Sequence, residues 1–275
     1  MEANYLDSPQ FFLIAGPCVV ESEAICLEIG QTMKEICADL GIPYIFKASY
    51  RKANRTSLNS YQGRGDREGL ELIAKVGKTL GIPTLTDVHA AEECSMAAEY
   101  VDVLQIPAFL CRQTDLLLAA GKTGKWVNIK KAQFLNGDAM KFAAEKVKST
   151  GNDRIWLTER GNMFGYGDMV VDFRNITEMK AHGFPVVMDI THSVQQPNNG
   201  SGVTGGKPEM IGTIARAAAA VGVQGFFLET HPNPAAALSD GANMLPLSEV
   251  RGLLEQLLAI HGVSSRPSDT GIGAP

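Results

Sequence analysis

No CxxC pair occurs in these 275 residues, no GxGxxG follows the first β-type run, and no apolar stretch approaches the roughly 18 residues of a membrane span. Each absence removes a class. Five cysteines, an odd and scattered set at 18, 26, 37, 94 and 111, make no disulfide framework, so reduced thiols are expected. The opening MEANYLDSPQ has no basic stretch followed by an apolar core; the expectation is a cytoplasmic chain with no membrane partner. Positive charge is in deficit: 25 Lys and Arg against 30 Asp and Glu give a net charge of -5, which argues against a nucleic-acid surface. Tryptophan is scarce, and Trp126 and Trp156 are expected to pack.

What is present is a repeat of short apolar or β-branched runs at 11–15, 44–47, 84–87, 103–106, 127–130, 155–159, 186–189 and 226–229. Segments of helical periodicity separate them, among them 23–40, 66–80, 90–99 and 208–221. Strands alternating with helices imply a parallel sheet, and an eightfold repeat at this length fits the α/β class as a single-domain (β/α)8 TIM barrel over residues 1–263. Gly-Ile-Pro recurs at 41–43 and 81–83, with Gly as helix cap and Pro as stop signal. The tail, 264–275, has the Pro, Gly and Ser content of a disordered end.

In such barrels function sits where strands end. The polar residues there are Cys18, Lys47, Lys52, Asn54, Arg55, Asp87, His89, Gln105, Lys130, Lys131, Arg160, His192, Glu229 and His231. One subset is cationic: Lys47, Lys52, Arg55, Lys130 and Arg160. Converging on one basin they would repel unless anionic ligands compensated them, which suits phosphorylated or carboxylated substrates. Lys131, Arg51 and Arg112 read equally well as surface charges. A second subset, Cys18, His192, Glu229 and Asp240, suits Fe²⁺, Zn²⁺ or Mn²⁺ better than Ca²⁺ or Mg²⁺. Barrel closure would place the seventh and eighth strands beside the first. Spacing alone also allows a packing cysteine, a loop-capping histidine and a turn-stabilising aspartate.

The motifs AGPCVVES, FKASYRKANRTS, TDVH, LQIPAFLCRQTDLL, VNIKKAQF, ERGNMFGY, MDITHSVQ, FLETHPNP and SDGANMLPL, in this order over roughly residues 11 to 260, resemble the 3-deoxy-D-manno-octulosonate 8-phosphate synthase family. The resemblance implies a tetrameric barrel that condenses phosphoenolpyruvate with D-arabinose 5-phosphate and releases phosphate, toward the sugar that links lipid A to lipopolysaccharide. The related heptulosonate 7-phosphate synthases, which take erythrose 4-phosphate, carry KPRTS where this chain has KANRTS. Metal-free members carry Asn in place of the first-strand Cys, so Cys18 implies one divalent transition metal ion per subunit, held by Cys18, His192, Glu229 and Asp240.

By the same resemblance Lys47, Lys52, Lys130 and Arg160 surround phosphoenolpyruvate, aided by Gln105 and the backbone at Ala108. Asn54, Arg55 and Thr56 hold the aldose phosphate and hydroxyls, with Asp87 further along the sugar. Catalytic roles fall to Lys52, Asn54, His192 and Cys18, and Lys52 is expected to donate a proton if neighbouring cations lower its pKa. The loop 195–206 departs most from the family pattern, and its glycines suit a lid. Two rivals stay open from the residues: a Schiff-base aldolase using Lys130, and a non-catalytic anion-binding barrel.

Overall fold

A computed structural model describes residues 11–53, 61–164, 167–197 and 204–264. Asn54, Arg55 and Thr56, the centre of the 195–206 loop and the tail beyond Ser264 lie outside the described residues.

Eight parallel strands close on themselves: β1 (Phe12–Gly16), β2 (Tyr44–Lys47), β3 (Thr84–Asp87), β4 (Val103–Ile106), β5 (Trp126–Lys130), β6 (Ile155–Glu159), β7 (Val186–Asp189) and β8 (Gly225–His231) pair in sequence order, and β8 pairs back with β1. Helices α1 (Glu23–Leu40), α2 (Asp66–Leu80), α3 (Ala91–Ala98), α4 (Thr114–Lys122), α5 (Met140–Lys148), α6 (Arg174–Ala181), α7 (Ile211–Val221) and α8 (Val250–Ser264) follow the strands in turn. The expected barrel is present. Strand bounds differ from the sequence reading by at most a residue or two, and the 208–221 segment opens with a short 3-10 turn, Pro208–Met210, before α7. Gly41 and Gly81 cap α1 and α2 at φ 68° and 64°, a left-handed conformation that glycine adopts without a Cβ penalty.

Alternation along each strand divides the core. Phe12, Ile14, Ile45, Leu85, Val103, Trp156, Val187 and Phe227 fill the barrel interior, and the opposite faces pack on the helices. Gly225 leaves room for the Phe12 ring, which a Cβ there would approach to 2.7 Å. Trp156 stacks on Trp126 at 4.7 Å and also meets Phe12, so both tryptophans pack as expected.

The same two-residue period carries inward-facing positions from a plug that is apolar except at Asn128 to a polar top: Ile45 to Lys47, Leu85 to Asp87, Val103 to Gln105, Asn128 to Lys130, Val187 to Asp189, Phe227 to Glu229. All six of those upper side chains are buried. Lys131 and Glu159 have the other parity. Lys131 is no surface charge: it is 0% exposed, bonded to the carbonyls of Ala132, Leu135 and Gly161 and to Asn162, 3.4 Å from Glu159. Its parity points it at the helix layer, where it ties loops together.

Candidate active site

The β1 and β2 backbones converge at the rim, since a Cβ on Gly16 would stand 2.0 Å from the Lys47 carbonyl oxygen. Beyond Gly16 the chain stays beside the β2 exit through Ser49 N to Cys18 O (3.2 Å) and Val20 N to Ser49 O (2.9 Å). Cys18 is thereby fixed and fully buried. Register places Glu229 opposite Gly16, so the eighth-strand carboxylate arrives next to the first-strand thiol. Asp240 completes the group from the loop after β8. It is the one non-glycine residue at positive φ (50°) among the described residues, and its Oδ2 lies 3.2 Å from Cys18 Sγ. Ser239 Oγ is 2.9 Å from the same sulfur.

Donor atoms of Cys18, Glu229 and Asp240 all lie within 4.8 Å of one another. His192 stands just outside, its Nε2 3.7 Å from Glu229 Oε1. Its Nδ1 is 2.8 Å from Asp189 Oδ2 and its backbone N–H donates to Asp189 Oδ1 at 2.8 Å, which fixes the ring and turns Nε2 toward the cluster. Two observations fit a transition metal here. Glu229 Oε2 is buried without a hydrogen-bond partner among the described residues, although Oε1 is engaged by Lys47. Burial, then the charges of Asp240 and Glu229, push the Cys18 thiol far above its usual range, a penalty that a bound divalent cation reverses by taking thiolate as ligand. Cys26 and Cys37, by contrast, sit in α1, are pushed up to about 12 by burial, and only pack.

The cations meet the same cavity, of about 1130 Å³, lined by Lys47, Lys52, Asp87, Gln105, Ala108, Lys130, Arg160, His192, Glu229 and Asp240. Mutual repulsion is not left to a ligand to relieve. Lys47 Nζ donates to Glu229 Oε1 at 2.7 Å and to the Cys18 carbonyl at 2.9 Å; Lys130 Nζ donates to Asp189 Oδ2 at 2.6 Å and sits 3.6 Å over the Phe227 ring. Interior carboxylates thus balance the ammonium groups, which corrects the picture of an uncompensated basin. Burial lowers the Lys130 and Arg160 pKa values. Arg160 Nη2 donates to the His192 carbonyl (3.0 Å) and Gln195 Oε1 (2.6 Å), while its buried Nε has no partner among the described residues. Gln105 Oε1 accepts from Asn128 at 3.0 Å.

Lys52 departs from expectation. Burial works against its charge, but Cys18, Glu229, Asp87 and Asp240 outweigh it and hold the ammonium above the usual lysine range. Among the described residues the charges that weigh most on it are acidic, so its pKa is raised rather than lowered. Asp87 has its Oδ2 2.9 Å from His89 Nε2 and a buried Oδ1 without a partner among the described residues. Arg51, read as a surface charge, is half-buried and pairs with Asp66 and Glu93.

Sequence reasoning missed Asp189 and Glu93. Asp189 closes an apolar strand just as Asp87 does, and that likeness was the available signal. Glu93 reads in sequence only as an acid in a helix's first turn.

Fold and site together define a (β/α)8 enzyme whose interior top gathers ammonium, guanidinium and carboxylate groups beside a soft and hard donor cluster. The chain belongs to the DAHP synthetase I family, whose model matches residues 7–261. Among curated proteins it is similar to the 2-dehydro-3-deoxyphosphooctonate aldolase of Koribacter versatilis, 52% identical over 96% of this chain and 95% of that one. A protein of the same name from Trichlorobacter lovleyi is 52% identical over 91% of this chain and 92% of its own length, and one from Variovorax paradoxus is 51% identical over 95% and 93%.

Proposed function

We propose that this enzyme condenses phosphoenolpyruvate with D-arabinose 5-phosphate and water to give 3-deoxy-D-manno-octulosonate 8-phosphate and inorganic phosphate. The observation that carries the reading is the placement of Lys47, Lys130 and Arg160 in the lining of one cavity with the Cys18, Glu229 and Asp240 donors grouped beside it. The names of the 52% identical relatives support it.

In this reaction C3 of the enol attacks the aldehyde carbon, water adds at C2, and the tetrahedral intermediate loses phosphate by C–O cleavage. Lys130 and Arg160 bind the carboxylate and phosphate of phosphoenolpyruvate, Arg160 through donors that include its unpartnered Nε. Gln105 and the backbone at Ala108 complete that wall. Lys52 stays protonated and donates a charge-assisted hydrogen bond to the aldehyde oxygen as negative charge grows there. Asp87 accepts a sugar hydroxyl at its spare Oδ1. Asn54, Arg55 and Thr56 hold the aldose phosphate and its neighbouring hydroxyls. Cys18, Glu229, Asp240 and the Nε2 of His192 would hold one Zn²⁺, Fe²⁺ or Mn²⁺, which when bound supplies Lewis acidity and orientation for the aldehyde or the water. Asp189 keeps His192 in the tautomer that leaves Nε2 unprotonated.

The same reading places the enzyme in the cytoplasm as a homotetramer; Phe134 and Phe142, 60% and 58% exposed, offer apolar surface for subunit contact. Among the described residues no helix is long and apolar enough to cross a membrane. A phosphate-release assay with phosphoenolpyruvate and either arabinose 5-phosphate or erythrose 4-phosphate, with and without chelator, tests substrate and metal together. Release with the five-carbon aldose, lost in chelator, is expected. Release only with the four-carbon aldose would overturn the assignment, and inactivation by borohydride would transfer it to a Lys130 Schiff base.

A further inference from the structure

Glu93 belongs to α3, on the helix layer, yet four groups converge on its carboxylate. Oε2 accepts from the Tyr50 hydroxyl at 2.5 Å and from the His89 backbone N–H at 2.8 Å, and lies 3.2 Å from His89 Nδ1. Oε1 accepts from Arg51 Nη2. An acid in the first turn of a helix ordinarily complements the dipole from the surface. Glu93 is 8% exposed, and a buried carboxylate is costly unless it is paired and hydrogen-bonded, as these four groups make it.

The bonds run two ways into the cavity. On one side, His89 Nε2 meets Asp87 Oδ2 at 2.9 Å, which leaves Asp87 Oδ1, buried and without a partner among the described residues, as the acceptor on the cavity wall. On the other, Tyr50 and Arg51 precede Lys52. Arg51 bridges Gly63, Lys52 N–H donates to the Gln62 carbonyl at 2.8 Å, and Tyr50 N–H donates to Thr86 Oγ1 on β3 at 3.3 Å. One carboxylate therefore spans the exits of β2 and β3.

We propose that Glu93 is a positioning residue for the aldose end of the cavity, aiming Asp87 through His89 and holding Lys52 through Tyr50 and Arg51. The inference rests on the condensation reading above. On the phosphoenolpyruvate wall, Lys130 and Arg160 take their partners from Asp189, His192 and Gln195 instead. Loss of Glu93 should accordingly affect the two substrates unequally, which a merely structural role would not do.

The test is steady-state phosphate release by the full chain and its Glu93→Gln and Tyr50→Phe variants, with each substrate varied in turn and melting followed in parallel. Glu93→Gln is expected to raise KM for arabinose 5-phosphate roughly tenfold, the scale of a lost charged hydrogen bond, and to leave KM for phosphoenolpyruvate within about twofold. Tyr50→Phe shifts the same ratio in the same direction by less, and carries the test if Glu93→Gln does not fold. Equal changes in both KM values, or a lower melting temperature with an unchanged ratio, overturn the role of Glu93. Wild-type enzyme that releases no phosphate from this substrate pair overturns the functional reading, and the aldose assignment with it.

Discussion

At the scale of single residues, the cavity is built from pairs whose charges hold each other in place. Asp87 and His89 illustrate the balance. Burial opposes both charges, but their mutual hydrogen bond wins, so the Asp87 carboxyl is held well below its ordinary range and the His89 imidazole above its own. A depressed carboxylate contributes stability that is present above its unfolded pKa of about 3.9 and lost as pH falls. A raised histidine contributes stability that is full below its unfolded pKa of about 6.5 and lost as pH rises through its folded value. The pair therefore stabilises most between roughly pH 4 and 6.5. His89→Asn is expected to cost most in urea unfolding near pH 5 to 6 and less at pH 9. A constant difference across that range would refute the imidazolium. Cys18→Ala should abolish retention of a transition metal on gel filtration, measured by elemental analysis, together with phosphate release.

At the scale of elements, the two-residue period of the strands and the capped ends of the helices explain what was legible in sequence. Lys47, Asp87, Lys130, Glu229 and, one step past β6, Arg160 were recognisable because each ends or follows a short apolar run, and Gln105 because it interrupts one a residue before its end. Lys131 was not assignable, since adjacent lysines differ only by strand parity and parity depends on which face closes the barrel. Glycines separate two kinds of constraint. Gly81 at φ 64° has open space around its absent Cβ, so Gly81→Ala is expected to cost only about 1 kcal/mol of backbone strain. Gly16→Ala meets backbone at 2.0 Å and should cost more, with loss of activity because Lys47 and Cys18 must shift. Urea midpoints of the two variants check the order.

At the scale of the whole molecule, closure of β8 onto β1 is the event that makes a site. It brings residues 18, 229 and 240 within one ion's reach although they lie more than 200 positions apart in part of the set. A ligand that binds only the folded barrel stabilises it by linkage. Zn²⁺ or Mn²⁺ added to chelator-treated wild type should raise the melting temperature, whereas Cys18→Ala should show no such rise. An equal rise in both proteins would place the ion elsewhere.

The sequence by itself determined the barrel, its strand bounds to within a residue or two, the bounds of the first two helices and most of the polar rim, because hydrophobic period and helix caps are local signals. It could not determine that Glu229 and Asp189 already balance Lys47 and Lys130, that Lys52 sits among acids, or that Glu93 reaches under two loops. Those outcomes depend on distances between strands and helices far apart in the chain, and Coulomb interactions are set by such distances and by burial, which exist only once the barrel has closed.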